Sequence, residues 1–341
     1  MQRRTRWVAL TSAALLATII SPFTSSNSVF AAQSIQAVQA QVTALQIQAS
    51  AIAESAQQSQ VELNNLQRSL SSVQSKDSAQ SASIQSLKKA VGQIAAEEYK
   101  GGALSQGMSL LFSSDPTLYM NSAQSLSIVE SRNSIKLRQF ASADQQLKAT
   151  ALTLSDQVAL VAKARAKYVA EEAAAQAKLA QAEKLLNSLN KAERARLAAL
   201  QASEDNQYQA TSLALSKGVT GATGAEAAAL KFAVNQLGSR YMFGAAGMVY
   251  WDCSGLTMRA FGAAGIALPH SAAAQSGYGK PIPLNQIRPG DLVFFGRPIS
   301  HVGIYFGGGR MLDAPHSGAR VRIESFGSWF GGEKFVAARR L

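Results

Sequence analysis

The chain holds a single cysteine, Cys253, in 341 residues, so no disulfide can form within it. Histidine is nearly as scarce, at three residues. Cys253, His270, His301, His316 and Asp313 are the possible metal ligands, and no pair of them has the i, i+4 spacing of helical zinc sites. That speaks against a metallopeptidase and implies no cofactor. The net charge is +12, yet no basic stripe interleaved with aromatics and no zinc-finger spacing is present. The charge therefore suits an anionic surface such as cell wall or membrane, and no nucleic-acid partner is expected. No apolar run at the start reaches the ~20 residues that a membrane span needs. Trp7 to Ile20 is apolar but stops short, behind Arg3, Arg4 and Arg6, and Val29-Phe30-Ala31 suits a cut after Ala31. Residues 1–31 read as a secretory signal peptide, with a membrane anchor as the alternative. Arg3-Arg4 keeps the twin-arginine export route open beside the general one. No cysteine stands near the cut, which excludes lipid attachment there. The expected location is extracytoplasmic, where a free thiol is unusual enough to favour a working one.

The length suggests two domains. From Gln33 to about Lys100 the chain is rich in Gln, Ser and Ala, with no proline. Ile35, Val38, Val42, Leu45, Ala49, Ile52 and Ala56 alternate by three and four, and the register runs on through Leu63, Leu66, Leu70, Val73, Ile84, Leu87, Val91 and Ile94. One heptad register over that distance predicts a coiled coil, about 100 Å long at ~1.5 Å per residue. Ser59, Asp77 and Gln80 are polar steps expected to weaken the seam. Gly101-Gly102 ends the helix, and Leu104 to Met120 forms an apolar tip. The tip reads as a cap on the coil or as a docking knob. A second helix is expected from about Asn121 to Leu215, carrying Leu137, Phe140, Leu147, Leu154, Val158, Leu179, Leu186, Leu189 and Leu200 in the same rhythm. Two such segments fold back as an antiparallel hairpin, with dimerisation as the rival. From Ala32 to Gly224 there are 18 basic and 15 acidic residues, the near balance of a solvated coil surface. The expected division is a coiled-coil domain at 32–215 with its tip near 101–120, a flexible linker at 216–224, and a globular domain at 225–341.

The globular part begins with a helix over Ala225–Gly238 and a second opening at Cys253. A short helix follows from Leu268 to Gln275. Strands are expected at Leu292–Phe295, His301–Phe306, Arg310–Ala314, Arg320–Ile323 and Phe335–Ala338. Helices followed by an antiparallel sheet make an α+β domain.

Cys253 opens the apolar run Leu256 to Phe261 within Trp251-Asp252-Cys253-Ser254-Gly255-Leu256. A cysteine at a helix start meets unpaired N–H groups and the positive end of the dipole, which favour the thiolate below its free pKa of ~8.5. His301 at a strand start is the candidate base. Reading Gly307-Gly308-Gly309 as a three-residue loop pairs Phe306 with Arg310 and Gly303 with Asp313. His301 and Asp313 then lie diagonally on one face, close enough for their side chains to meet. A carboxylate on one imidazole nitrogen leaves the other for the thiol. His316, beyond a proline, is a poorer candidate, and His270 reads as a cleft-wall residue. Asp252 and Ser254 flank the nucleophile and either cap its helix or bind a peptide's free amine.

At these residues the chain resembles the NlpC-type cell-wall cysteine peptidases, a compact papain-like family. The resemblance rests on Tyr241 and Asp252-Cys253-Ser254-Gly255, on Arg288-Pro289-Gly290-Asp291-Leu292-Val293-Phe294-Phe295, on His301-Val302-Gly303-Ile304-Tyr305 and on Met311-Leu312-Asp313-Ala314-Pro315. It covers roughly Ala225 to Leu341. It implies a nucleophile at Cys253, a base at His301, an orienting residue at Asp313, and an oxyanion donor at Tyr241 beside the backbone N–H of Cys253. Two departures stand out. The third position, often histidine, is Asp313, as in a division-associated subgroup, and the usual Gly-Gly is Gly244-Ala245. The family implies peptidoglycan as substrate, cut between D-glutamate, through its γ-carboxyl, and the third residue of the stem peptide. The long hairpin is similar to the regulatory segment of division peptidases driven by the ABC-type transmembrane complex of the divisome. That likeness implies a coil that restrains the cleft and docks through its tip. A papain-like amidase or acyltransferase, and a non-catalytic wall-binding activator, remain as alternatives.

Overall fold

A computed structural model describes residues 35–100, 116–218, 221–327 and 329–341. The expected signal peptide, and the apolar tip as far as Asp115, lie outside the described residues. Two long helices, α1 (Ile35–Tyr99) and α2 (Pro116–Asn187), run antiparallel. Near their base Val38 and Val42 of α1 are buried against Ala182, with Leu185, Leu186 and Leu189 around them. Farther out, Ser55 and Ser59 both donate to the carboxylate of Glu171, at 2.7 and 2.5 Å. The fold-back is therefore intramolecular. Ser59, expected as a weak step in the seam, is fully buried and clasped across it.

The second helix is two. It breaks at Ser188–Asn190, and α3 (Lys191–Ser216) starts afresh. Asn190 accepts from the Glu193 N–H, and the Glu193 side chain accepts from the Asn190 N–H. This reciprocal cap stabilises a new helix start where the leucine rhythm suggested continuity.

The C-terminal unit is α+β, as expected. Helix α4 (Gly224–Val234) is followed by a small parallel pair, β1 (Arg240–Tyr241) and β2 (Tyr250–Trp251), which the sequence did not suggest. Then come α5 (Cys253–Ala263) and α6 (Ala272–Gln275). The main sheet contains β3 (Lys280–Pro281), β4 (Leu292–Phe295), β5 (His301–Gly307), β6 (Arg310–Asp313), β7 (Arg322–Ser325) and β9 (Glu333–Arg340), in the order β3-β9-β4-β5-β6-β7, with β8 (Trp329–Phe330) paired to β9. All pairings in it are antiparallel. α6 is shorter than expected because Ser271 caps it, accepting from the Ala274 N–H.

β4 reads as an unbroken apolar run because both of its faces are covered. Leu292 and Phe294 pack with Leu256, Ala260 and Phe261 of α5. Val293 and Phe295 pack on the other side with Met311, Phe326, Phe330 and Phe335. The β5–β6 turn is tighter than the three-residue loop expected. Gly307 pairs with Arg310, and a bulge separates that pair from Tyr305↔Met311. Gly308 and Gly309 both have positive φ, at 61° and 71°, the requirement of a two-residue turn whose twist matches the strands. Before the bulge the expected register holds, with Ile304 opposite Leu312.

β7 is an edge of this sheet, and α3 covers it. Gln209 donates to the Val321 carbonyl at 3.2 Å, and the Ile323 N–H donates to Ser212 at 2.8 Å. The edge groups are thereby satisfied rather than left for another chain.

The cysteine helix is held to the sheet chiefly by fully buried aliphatic and aromatic side chains. Leu256→Ala is expected to lower the stability of the C-terminal unit by about 2–5 kcal/mol, read from its denaturant unfolding midpoint.

Candidate active site

Cys253 is the first residue of α5, and Asp252 is its N-cap, accepting from the Gly255 N–H at 2.6 Å. Gly255 is required by packing, since a β-carbon there would collide with the carbonyl oxygen of Ala245. α5 packs on β5, and the Val302 N–H reaches the Cys253 sulfur. Val302 follows His301 directly, so the thiol and the imidazole belong to one site. His301 is buried, stacked on Phe330 with ring centroids 5.0 Å apart. Its Nε2 lies 2.8 Å from Asp313 Oδ2. With Nε2 engaged there, Nδ1 is the nitrogen left for the thiol.

Tyr241 is buried beside these groups and its hydroxyl is hydrogen-bonded to that of Ser50. His270 Nε2 lies 2.9 and 2.8 Å from the two oxygens of Asp252. Burial opposes charge on His270, but the Asp252 carboxylate outweighs it and the imidazole is shifted upward. Asp252 thus caps the helix and pairs with His270, which is more than a cleft-wall residue. His316 is half-buried, with Nδ1 2.9 Å from the Ser317 carbonyl, and desolvation lowers it to about 4.

The residue that sequence reasoning missed is Glu54. It comes from α1 and is buried in the cleft. The Cys253 thiol donates to its Oε1 at 3.1 Å and the Ser254 hydroxyl to the same oxygen at 2.6 Å. The Ala272 N–H donates to Oε2 at 2.8 Å. Neighbours on the same helix face follow suit. Ser50 meets Tyr241, and Ser271 donates to Gln58 at 2.9 Å. Gln46 and Gln57 lie against Gly318 and Gly244. The spacing Gln46, Ser50, Glu54, Gln58 is one stripe of a helix. Its visible signal was Glu54 itself, since Glu54 and Glu62 are the only charged residues between Gln33 and Gln67.

This burial reverses the expected state of the nucleophile. The Cys253 thiol is pushed well above its ordinary pKa, first by burial and then by the Glu54 and Asp252 carboxylates. The helix start still favours the thiolate, but two nearby negative charges and loss of water oppose it. Glu54 is itself shifted upward by burial and by Asp252. His301 is lowered to about 4 by burial, partly offset by Glu324 and Glu54. At neutral pH this arrangement is a neutral thiol beside a neutral imidazole. A cavity of about 240 Å³ opens beside His301 between α1, α3 and the sheet, bordered by Gln46, Ser50, Asp205, His316 and Arg322.

Residues 238–340 match the NlpC/P60 family. The C-terminal unit is an NlpC/P60 domain. Over 103 residues the chain is 44% identical to a probable endopeptidase of Mycobacterium tuberculosis, covering 30% of this chain and 27% of that protein. It is 48% identical over 79 residues to the peptidoglycan endopeptidase RipA of the same species, covering 23% and 17%. It is 46% identical over 90 residues to the probable endopeptidase p60 of Listeria monocytogenes, covering 26% and 19%. The chain thus matches about a quarter or less of the length of these relatives. The matched part of the NlpC/P60 domain holds Cys253, His301 and Asp313, whereas Glu54 lies outside it.

Because Cys253 is the sole cysteine, its alkylation reports the cleft directly. Glu54→Ala removes a negative charge and a cover, so the thiol pKa falls, and iodoacetamide labelling at pH 7.5 is expected to speed up about tenfold. The mass shift of the intact protein against time measures it, and an unaltered rate would show that Glu54 does not control the thiol.

Proposed function

We propose that this protein is an extracytoplasmic peptidoglycan endopeptidase that cuts stem peptides through a Cys253 thioester. The observation that carries the reading is the convergence of a helix-start thiol, an imidazole and a carboxylate: Val302 N–H on Cys253, and His301 Nε2 on Asp313. His301 Nδ1 takes the thiol proton as sulfur attacks the amide carbonyl. The oxyanion is received by the Cys253 N–H and the Tyr241 hydroxyl. His301 then protonates the departing amine, leaving an acyl-enzyme that water, activated by the same imidazole, hydrolyses. Asp313 accepts from Nε2 and stabilises the imidazolium that forms. Asp252, Ser254 and His270 line the peptide's side of the cleft. The bond we favour joins D-glutamate, through its γ-carboxyl, to the diamino acid. Among the described residues no group of three or more His, Cys, Asp and Glu is placed to hold a metal ion.

On this reading the hairpin, as a coiled coil, restrains the enzyme. Glu54 occupies the thiol's own hydrogen-bond position and keeps Cys253 protonated. Removing α1 from the cleft opens it and frees Cys253, Ser254 and Tyr241 together. The apolar tip is the proposed docking point for an ABC-type transmembrane complex of the divisome, which would supply the pull during division or wall remodelling. The leader at residues 1–31 delivers the protein to the wall, where its positive charge suits the anionic surface.

Digestion of defined muropeptides, with products weighed by mass spectrometry, tests the reading. Cys253→Ala in the full chain is expected to lose at least about a thousandfold in cleavage rate. Full activity in that variant would leave a wall-binding role in its place. Glu54→Ala is expected to raise the rate roughly tenfold by shifting the chain toward the open state. An unchanged rate would remove the restraint but not the chemistry. Products cut at a bond other than the D-γ-glutamyl one would redirect the specificity.

A further inference from the structure

One acceptor at the heart of the site has no donor. Asp313 gives Oδ2 to His301, while its Oδ1 is buried with no hydrogen-bond partner. A buried carboxylate oxygen left without a donor is costly, so the group beside it decides its state. The β6–β7 register sets Asp313 opposite Arg322 and Met311 opposite Glu324. Opposed residues of antiparallel strands share a face, so Glu324 is the diagonal neighbour of Asp313, within reach of a long side chain. Arg322 binds both oxygens of Glu324, Nε to Oε1 and Nη2 to Oε2, each at 2.9 Å. The guanidinium is held in turn under the Tyr208 ring of α3, with Cζ 4.0 Å from its centroid. Two buried carboxyl groups in such proximity do not both ionise readily, and one keeps a proton that the other accepts.

We propose that Glu324 is a further positioning residue of this peptidase site: it shares one proton with Asp313 through Oδ1, and Arg322 clamps it so that the shared bond fixes the carboxylate that orients His301. The three side chains then hold one negative and one positive charge instead of two negatives and one positive. Burial pushes Asp313 and Glu324 up to about 7, with Arg322 acting in the opposite direction on both. The other titratable groups around the pair and the cavity beside it are His301 and His316, Glu204, Asp205 and Tyr208 of α3, and Glu333, while Glu54 of α1 acts on His301.

The inference rests on the thiol-hydrolase reading, but its first test does not need catalysis. In the full chain, carboxyl carbons of 13C-labelled Asp and Glu are followed by NMR from pH 4 to 9. Asp313 and Glu324 are expected to titrate as a coupled pair around neutrality. In Glu324→Gln an amide N–H replaces the shared proton and favours ionised Asp313, so its midpoint is expected to fall by about one pH unit. An Asp313 midpoint identical in parent and variant overturns the proposal. In muropeptide cleavage, Glu324→Ala is expected to lower kcat about tenfold with KM unchanged. Glu324→Gln should largely rescue kcat and move the acidic limb of the pH profile downward. Equal losses in the two variants with an unmoved profile would make Glu324 a mere partner for Arg322, which also overturns it. Failure of the underlying reading is separate, because it appears as undiminished cleavage by Cys253→Ala.

Discussion

A carboxylate from a helix nearly two hundred residues upstream sits on the Cys253 thiol. Glu54 takes the thiol's hydrogen bond, the Ser254 hydroxyl and the Ala272 N–H at once. Everything unusual about the site follows from that contact. It excludes water from Cys253, so burial becomes the largest influence on the thiol. It adds a negative charge beside the sulfur, which opposes a thiolate there. It also requires the rest of α1 to lie along the cleft, which places Ser50 on Tyr241 and Gln58 on Ser271. A local signal, the helix start, and a long-range one, the buried carboxylate, act on the same sulfur with opposite sign. The long-range one prevails in this conformation.

The domain itself is arranged so that its reactive groups depend on close packing rather than on loops. Cys253 is fixed by a capped helix wedged on β5, and Gly255 lets that helix approach the chain at Ala245. His301 and Asp313 come from neighbouring strands joined by a two-glycine turn, so their separation is set by register. α3 belongs physically with this sheet. It satisfies the exposed edge of β7 and places Tyr208 over Arg322. A helix that continues the hairpin in sequence thus supports the strand beside Asp313 in space, beyond the break at Ser188–Asn190.

Much of this was legible in the sequence. The heptads gave α1 almost to the residue, and the motifs around Cys253, His301 and Asp313 marked residues that the fold brings together. The pairing of His301 with Asp313 followed from the glycine turn even though the turn was read one residue too long, because the bulge at Phe306 absorbs the error before the strand reaches Ile304. Other features resisted for identifiable reasons. The break before α3 was hidden by Leu186 and Leu189, which keep the hydrophobic rhythm, although Asn190 and Glu193 spell a capping box. Arg320 to Glu324 reads as an ordinary alternating strand, and nothing local says that its charges face a buried aspartate. Glu54 stood out as a rare charge in its stretch, but its role was hidden because its partners lie 199 to 218 positions away.

The chemistry of the α1 seam bears on whether the restraint proposed above can be lifted. An apolar helix in the cleft would be held by area, and its separation would expose that area to water. Here Ile47 and Ala51 also border the cavity, but the contacts on the thiol and its neighbours come from Gln46, Ser50, Glu54, Gln57 and Gln58, polar groups that water can also satisfy. Hydrogen bonds to a charged group contribute about 1.5–3 kcal/mol each. Against them stands the desolvation of a buried carboxylate, several kcal/mol in its own right. The two are of similar size, so on the proposed reading the closed state is held by a small difference between large quantities. Moving such an equilibrium from almost wholly closed to almost wholly open takes about 5.5 kcal/mol of differential binding. That is within the range of an ordinary protein partner.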